Sequence, residues 1–153
     1  MKVGVELLDE KYKSINMDLE EFSDYIHVLS HPDLKFQCED YLIKVKRYRE
    51  STILEIIIYT NILDEFSRKK AIRILIVLTE EEIKQNPELM EYLINELKKL
   101  ITEVLGSEYC KQLDFNRLTK CIIKATKPNK RKNFILLIVA LIFGILVIYA
   151  ITH

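Results

Sequence analysis

The feature that most constrains this chain is a stretch near its C-terminal end, Asn133 to Thr152, that contains no Asp, Glu, Lys or Arg. Within it Phe134, Ile135, Leu136, Leu137, Ile138, Val139, Ala140, Leu141, Ile142, Phe143, Gly144, Ile145, Leu146, Val147, Ile148, Tyr149, Ala150 and Ile151 form an uncharged, strongly apolar run of 18 residues. As a helix at roughly 1.5 Å per residue it would extend about 27 Å, close to the hydrocarbon thickness of a bilayer. A helix packed on a small domain keeps a polar side, whereas one surrounded by lipid has none. The run is therefore expected to be a transmembrane helix. Only Thr152 and His153 follow it, so the expected arrangement is a tail anchor inserted after synthesis.

The charge balance supports the same division. The chain carries 23 basic and 23 acidic residues. Residues 1–126 hold 19 of the basic ones and all 23 acidic ones, a net −4, and Lys127, Lys130, Arg131 and Lys132 supply the opposite +4. We therefore expect a helical body over 1–126, a basic collar over 127–132 and the anchor over 133–153. A basic collar beside an anchor tends to stay on the cytosolic side, which orients the body toward the cytosol. The N-terminal MKVGVELLDEKYKS has no apolar core of a signal peptide.

Composition narrows the function classes. With three glycines in the chain, neither G-x-G-x-x-G nor G-x-x-x-x-G-K occurs, so phosphate-cradling loops of those types are excluded. Cys38, Cys110 and Cys121 are an odd number at wide spacing, which reads as reduced thiols rather than a disulfide framework or a metal site. A nucleic-acid binder carries a basic excess on its folded domain, and this body has the opposite sign.

Start and stop signals predict helices over about 4–14, 18–29, 32–48, 51–65, 67–78, 79–85, 87–105 and 112–125, an all-α antiparallel bundle. Asp18 with Glu21, Ser30 with Asp33 and Thr79 with Glu82 have capping-box spacing, Asn86 precedes a first-turn proline, and Gly106 is placed to stop the helix that begins at Pro87. In that helix Leu89, Leu93, Leu97, Leu100, Ile101 and Val104 recur at helical spacing between charged residues. STILEIIIYT (51–60) and AIRILIVLT (71–79) are so rich in β-branched residues that they would also suit buried strands. Helix is preferred because no Gly or Pro separates them.

Candidate chemistry is sparse. Asp24, His27 and His31 would converge on a continuous helix, but Ser30 and Pro32 break it between the histidines. Cys38 and Cys110 lack a recognisable catalytic partner, Glu80 to Glu82 suit a helix start, and Arg68, Lys69, Lys70 and Arg73 suit a solvated face. No catalytic, cofactor or metal site is expected, and no enzyme.

DLEEFSDYI (18–26), FQCEDYLIKVKRYRESTILEIIIYTNIL (36–63) and LGSEYCKQLDFNRLTKCIIKATK (105–127), followed by the apolar run, resemble the tail-anchored mitochondrial fission 1 protein family. Phe36, Leu42, Ile43, Ile56, Ile57, Ile58 and Leu63 fall at corresponding places. The resemblance implies two tetratricopeptide-like helix pairs and a non-enzymatic adaptor. Such an adaptor recruits a dynamin-type GTPase or its partner to the mitochondrial or peroxisomal outer membrane, and self-association is compatible with it. An anchor with no basic residue after it also fits the endoplasmic reticulum. The outline is similar as well to tail-anchored apoptosis regulators of the B-cell lymphoma two type, whose central apolar helices form a groove for death-motif helices.

Overall fold

The structure, a computed structural model, describes residues 1–8, 22–63, 69–85, 87–127 and 130–153, with the backbone alone for 61–63, 69 and 130–136. The elements are β1 (Lys2–Leu8), α1 (Ser23–Val28), β2 (Leu34–Cys38), β3 (Tyr41–Tyr48), β4 (Ser51–Leu63) and β5 (Lys69–Thr79). They continue with α2 (Glu80–Lys84), α3 (Glu88–Val104), α4 (Ser107–Gln112), α5 (Phe115–Thr126) and α6 (Lys130–Thr152). Five strands form one antiparallel sheet in the order β1-β5-β4-β3-β2. Strands β2 to β5 run as a meander, and β1 closes the far edge against β5.

This overturns the all-α bundle. Where their residues are described, the expected helices over 4–14, 51–65 and 67–78 are strands, and that over 32–48 is the pair β2 and β3 joined by a turn at Glu39-Asp40. The tetratricopeptide-like pairs and the central apolar helix of an apoptosis regulator disappear with them. Two physical reasons account for the difference. Thr52, Ile53, Ile56, Ile57 and Ile58 in β4 are β-branched, stiff at χ1 and suited to a pleated surface. The sheet is also covered on both faces, so β4 and β5 show an apolar run instead of alternation. On one face Leu54, Ile56, Ile58, Ile72, Ile74, Ile76 and Leu78 pack with Leu93, Leu97 and Ile101 of α3 and Leu118 and Ile122 of α5. On the other, Ile53, Leu75 and Val77 meet Phe22 and Leu29 at the two ends of α1. Gly4 lets β1 approach Phe22, since a Cβ there would lie 2.8 Å from the ring.

The helical half agrees more closely with the sequence. Helix α2 opens with the Thr79–Glu82 capping box: the Glu82 N–H donates to Thr79 Oγ1 (3.2 Å) and the Thr79 N–H to Glu82 Oε1 (3.3 Å). Helix α3 buries Met90, Leu93, Ile94, Leu97 and Ile101. Its last turn ends where Leu105 and Gly106 N–H both donate to the Ile101 carbonyl, with Gly106 at φ 108°. Only a residue without Cβ adopts that conformation freely. Helix α5 starts at Asp114, whose carboxylate accepts from the Asn116 and Arg117 N–H groups. The Asp18–Glu21 pair, residues 9–14 of the first expected helix, Arg68 and Asn86 lie outside the described residues.

Candidate functional site

Helix α6 contains the expected anchor. Lys130, Arg131, Lys132, Phe134, Ile135 and Leu136 belong to it by backbone, and their side chains lie outside the described residues. From 137 to 152 every residue is exposed, Phe143 at 69% and Ile151 at 79%. Over 137–152 the helix therefore shows largely apolar surface all round, with no face buried on the domain among the described residues. Among the described residues, however, no helix is long and apolar enough to cross a membrane. That corrects the expectation of a transmembrane helix over Phe134 to Ile151.

Immediately before α6, helix α5 divides into two faces. Leu118, Cys121, Ile122 and Ala125 are buried, while Arg117, Lys120, Lys124 and, at the C-cap, Lys127 are exposed. Arg117, Lys120 and Lys124 fall within an arc of about 60° at 100° per residue. No Asp or Glu occurs after Asp114. The charge boundary therefore lies at Asp114, not at Lys127 where the expected collar begins. Residues 115–132 hold seven basic and no acidic side chains, and residues 1–114 hold 16 basic against 23 acidic. The helical spacing of Arg117, Lys120, Lys124 and Lys127 is the signal that could have found this face.

A second polar constellation crosses the sheet on the α1 side. Arg73 Nη1 lies 2.5 Å from Glu6 Oε1, Arg73 Nε 3.5 Å from Glu55 Oε2, and Lys44 Nζ 3.6 Å from Glu55 Oε1. Glu6 and Glu55 are buried, and the two cations compensate them. Arg73 is thus part of an internal ion network rather than the solvated face expected for it. Its Nε is buried and has no hydrogen-bond partner among the described residues.

The thiols also differ from expectation. Cys38 at the end of β2 and Cys121 in α5 form a disulfide, and Cys110 is free. Separated by 83 positions, they meet because β2 is the sheet edge beside α5, a proximity that spacing cannot reveal. His27 sits on α1, whereas His31 lies beyond its end. Among the tyrosines, Tyr41 is buried in the main core and Tyr92 is exposed on α3. Burial pushes the Tyr41 phenol up, with Asp114 adding to the shift. Tyr92 lines a shallow cleft of about 240 Å³ with Met1, Val3, Glu96, Lys99, Leu100 and Glu103. At its margin burial raises the Glu82 carboxyl, but hydrogen bonds from the N-terminal ammonium (2.8 Å) and Thr79 outweigh it and hold the group below its usual range. The chain matches no family model, no curated protein and no solved structure.

Proposed function

We propose that this chain is a non-enzymatic adaptor held at a membrane, its α/β domain displayed on the surface and the exposed apolar side chains of α6 in contact with lipid. The observation that carries the reading is the unbroken exposure of uncharged, largely apolar side chains over residues 137–151. A run of that kind far exceeds the isolated exposed apolar residues normal for a protein surface, and contact with acyl chains removes it from water. Attachment raises the local concentration of whatever protein the domain binds. The buried carboxylates Glu6 and Glu55 are paired with Arg73 and Lys44 inside the sheet, which supports reading this constellation as structural.

The dynamin-type partner rested on helix pairs over 36–63, and those residues form β2, β3 and β4. The proposal accordingly keeps membrane attachment and protein binding and commits to no fission machinery. For the side of the membrane, Lys127 and the basic residues after it favour a domain facing the cytosol. The Cys38–Cys121 disulfide favours an oxidising compartment, or the cytosol of a hyperthermophile. Attachment is tested by floating the full chain with phosphatidylcholine vesicles and then washing at alkaline pH. Retention through the wash is expected. A chain that stays behind as a soluble oligomer, with α6 packed against other copies, overturns the proposal.

A further inference from the structure

We infer that the exposed face of α5 is an electrostatic docking surface for anionic phospholipid headgroups, which lays the β2–α5 edge of the domain onto the bilayer that holds α6. The inference rests on the membrane attachment proposed above and adds the chemistry of the lipid and the orientation of the domain. Three observations carry it.

The first is charge. Lys120, Lys124 and Lys127 are exposed and, among the described residues, make no ion pair; Arg117 is partly neutralised by Asp114 (3.5 Å) and Asp40 (3.9 Å). The face is therefore most positive toward the C-terminal end of α5. The sequence continues it with Lys130, Arg131 and Lys132 and no acid between. A juxtamembrane cluster of this size matches the surface potential of an anionic leaflet, where each Lys or Arg near the surface contributes about 1 kcal/mol, roughly fivefold in binding.

The second is connectivity. Helix α5 ends at Thr126 and α6 begins at Lys130, and a chain of that length reaches at most about 14 Å. If α6 is in lipid, the C-terminal end of α5 is held within a Debye length or two of the headgroups, where its field acts.

The third is the progression along β2. Cys38 is bonded to Cys121 and the Phe36 ring lies 5.5 Å from Lys124 Nζ, so moving back along β2 moves forward along α5. Leu34, the next residue on the same side of the strand, is carried toward Lys127 and is 49% exposed. An exposed leucine on the strand that runs along α5, together with lysines that make no ion pair among the described residues, is the composition of a surface that meets a headgroup layer.

The experiment uses the full chain bound to vesicles of phosphatidylcholine alone or with about one-third phosphatidylserine, a membrane that presents the potential in question. Amine acylation at each lysine is read by mass spectrometry. Lys120, Lys124 and Lys127 are expected to be protected about fivefold in the anionic vesicles relative to the neutral ones. Lys2, on the opposite sheet edge, should label equally in both. Salt near 0.5 M should remove most of the difference, since the Debye length shrinks to a few ångströms. Equal labelling of the α5 lysines in the two vesicle types, with the chain bound to both, overturns the inference and leaves the attachment standing. Failure to bind either vesicle overturns both. Lys120→Glu with Lys124→Glu alters exposed positions only, and the double variant should stay bound while Lys127 loses its protection in anionic vesicles. Persistent protection would show that charge is not its cause.

Discussion

Strands β4 and β5 and helix α6 are the two most apolar parts of this chain, both dense in Ile, Leu and Val, and they meet opposite fates. In the strands Ile53, Leu54, Ile56, Ile72, Ile74, Leu75, Ile76 and Leu78 are shut away from water beneath helices on both sides. In α6 every residue whose side chain is described is exposed. The difference lies in what interrupts the run. Glu55 and Arg73 stand in the strands and pair with each other across the sheet, tying the run to a protein interior that can compensate charge. Residues 133–152 contain no such group, and a segment with nothing to pair has no stake in a polar neighbourhood. Hydrophobicity alone thus does not distinguish a buried run from an exposed one; the placement of charge within the run does.

The largest expected effect comes from putting charge where α6 has none. Leu141→Arg with Ile145→Arg puts two charges into the run proposed to contact lipid and should cost up to about 3 kcal/mol for each, enough to release the chain from vesicles in a flotation assay. The far-ultraviolet circular dichroism and the unfolding midpoint of the α/β domain should not move. If the domain unfolds as well, α6 and the strands belong to one core and the contrast fails.

Removing the Cys38–Cys121 disulfide tests the opposite member. With 83 positions between the cysteines, the chain-entropy model assigns about 4–5 kcal/mol to the cross-link. The double Ala variant in detergent should unfold at clearly lower denaturant, while its flotation with vesicles is unchanged. Ile74→Ala should follow at about 3–4 kcal/mol, because Ile74 is fully buried between the sheet and its helices. Chemical unfolding read by circular dichroism measures it. A loss of vesicle binding in either variant would mean that the two apolar regions are coupled.

Why the sequence revealed one region and misassigned the other follows from local signals. Helices α2, α3 and α5 carry caps, a stop and helical periodicity, and Thr79–Glu82 and Gly106 act where their spacing places them. In β3, Tyr41, Ile43 and Val45 point inward while Lys44 and Lys46 alternate with them, a period of two that is legible in the sequence and conflicts with the helical reading of 32–48. Strands β4 and β5 offer no alternation because both faces are covered. The hairpins are hidden as well. The β2–β3 turn uses Glu39-Asp40 and the β3–β4 turn uses Arg49-Glu50, with Glu39 at φ 54°, Arg49 at 49° and Glu50 at 62°, and none has the Asn-Gly signature of a tight hairpin. The α5 face escapes any division of the charge made at Lys127 instead of at Asp114.

The strained turn supplies a smaller test. Glu50→Gly removes the Cβ from a left-handed position and keeps the backbone carbonyl that accepts from the Glu80 N–H (3.2 Å). The domain should gain about 1 kcal/mol in chemical unfolding, the approximate cost of αL for a residue with a Cβ. A loss instead would mean that the Glu50 side chain contributes more than its backbone strain removes.

The smallest effect belongs to Asp33, where the chain enters β2. Its carboxylate accepts from the Arg47 N–H (2.8 Å) and from Lys46 Nζ (3.1 Å), and these contacts hold its pKa below the usual value. A carboxylate depressed on folding contributes stability that is complete above its unfolded pKa, near 4, and is lost as the pH falls through the lower folded value. The side chain is 49% exposed, so solvent screening keeps the contribution under about 1 kcal/mol. Asp33→Asn should therefore lower the unfolding midpoint slightly at pH 7, and the difference from the parent chain should shrink below pH 4. Since the proposed attachment runs through α6, vesicle binding should stay level across the same range. A pH-dependent release of the Asp33→Asn variant, absent in the parent, would mean that the β2 edge, and not α6 alone, holds the chain on the vesicle.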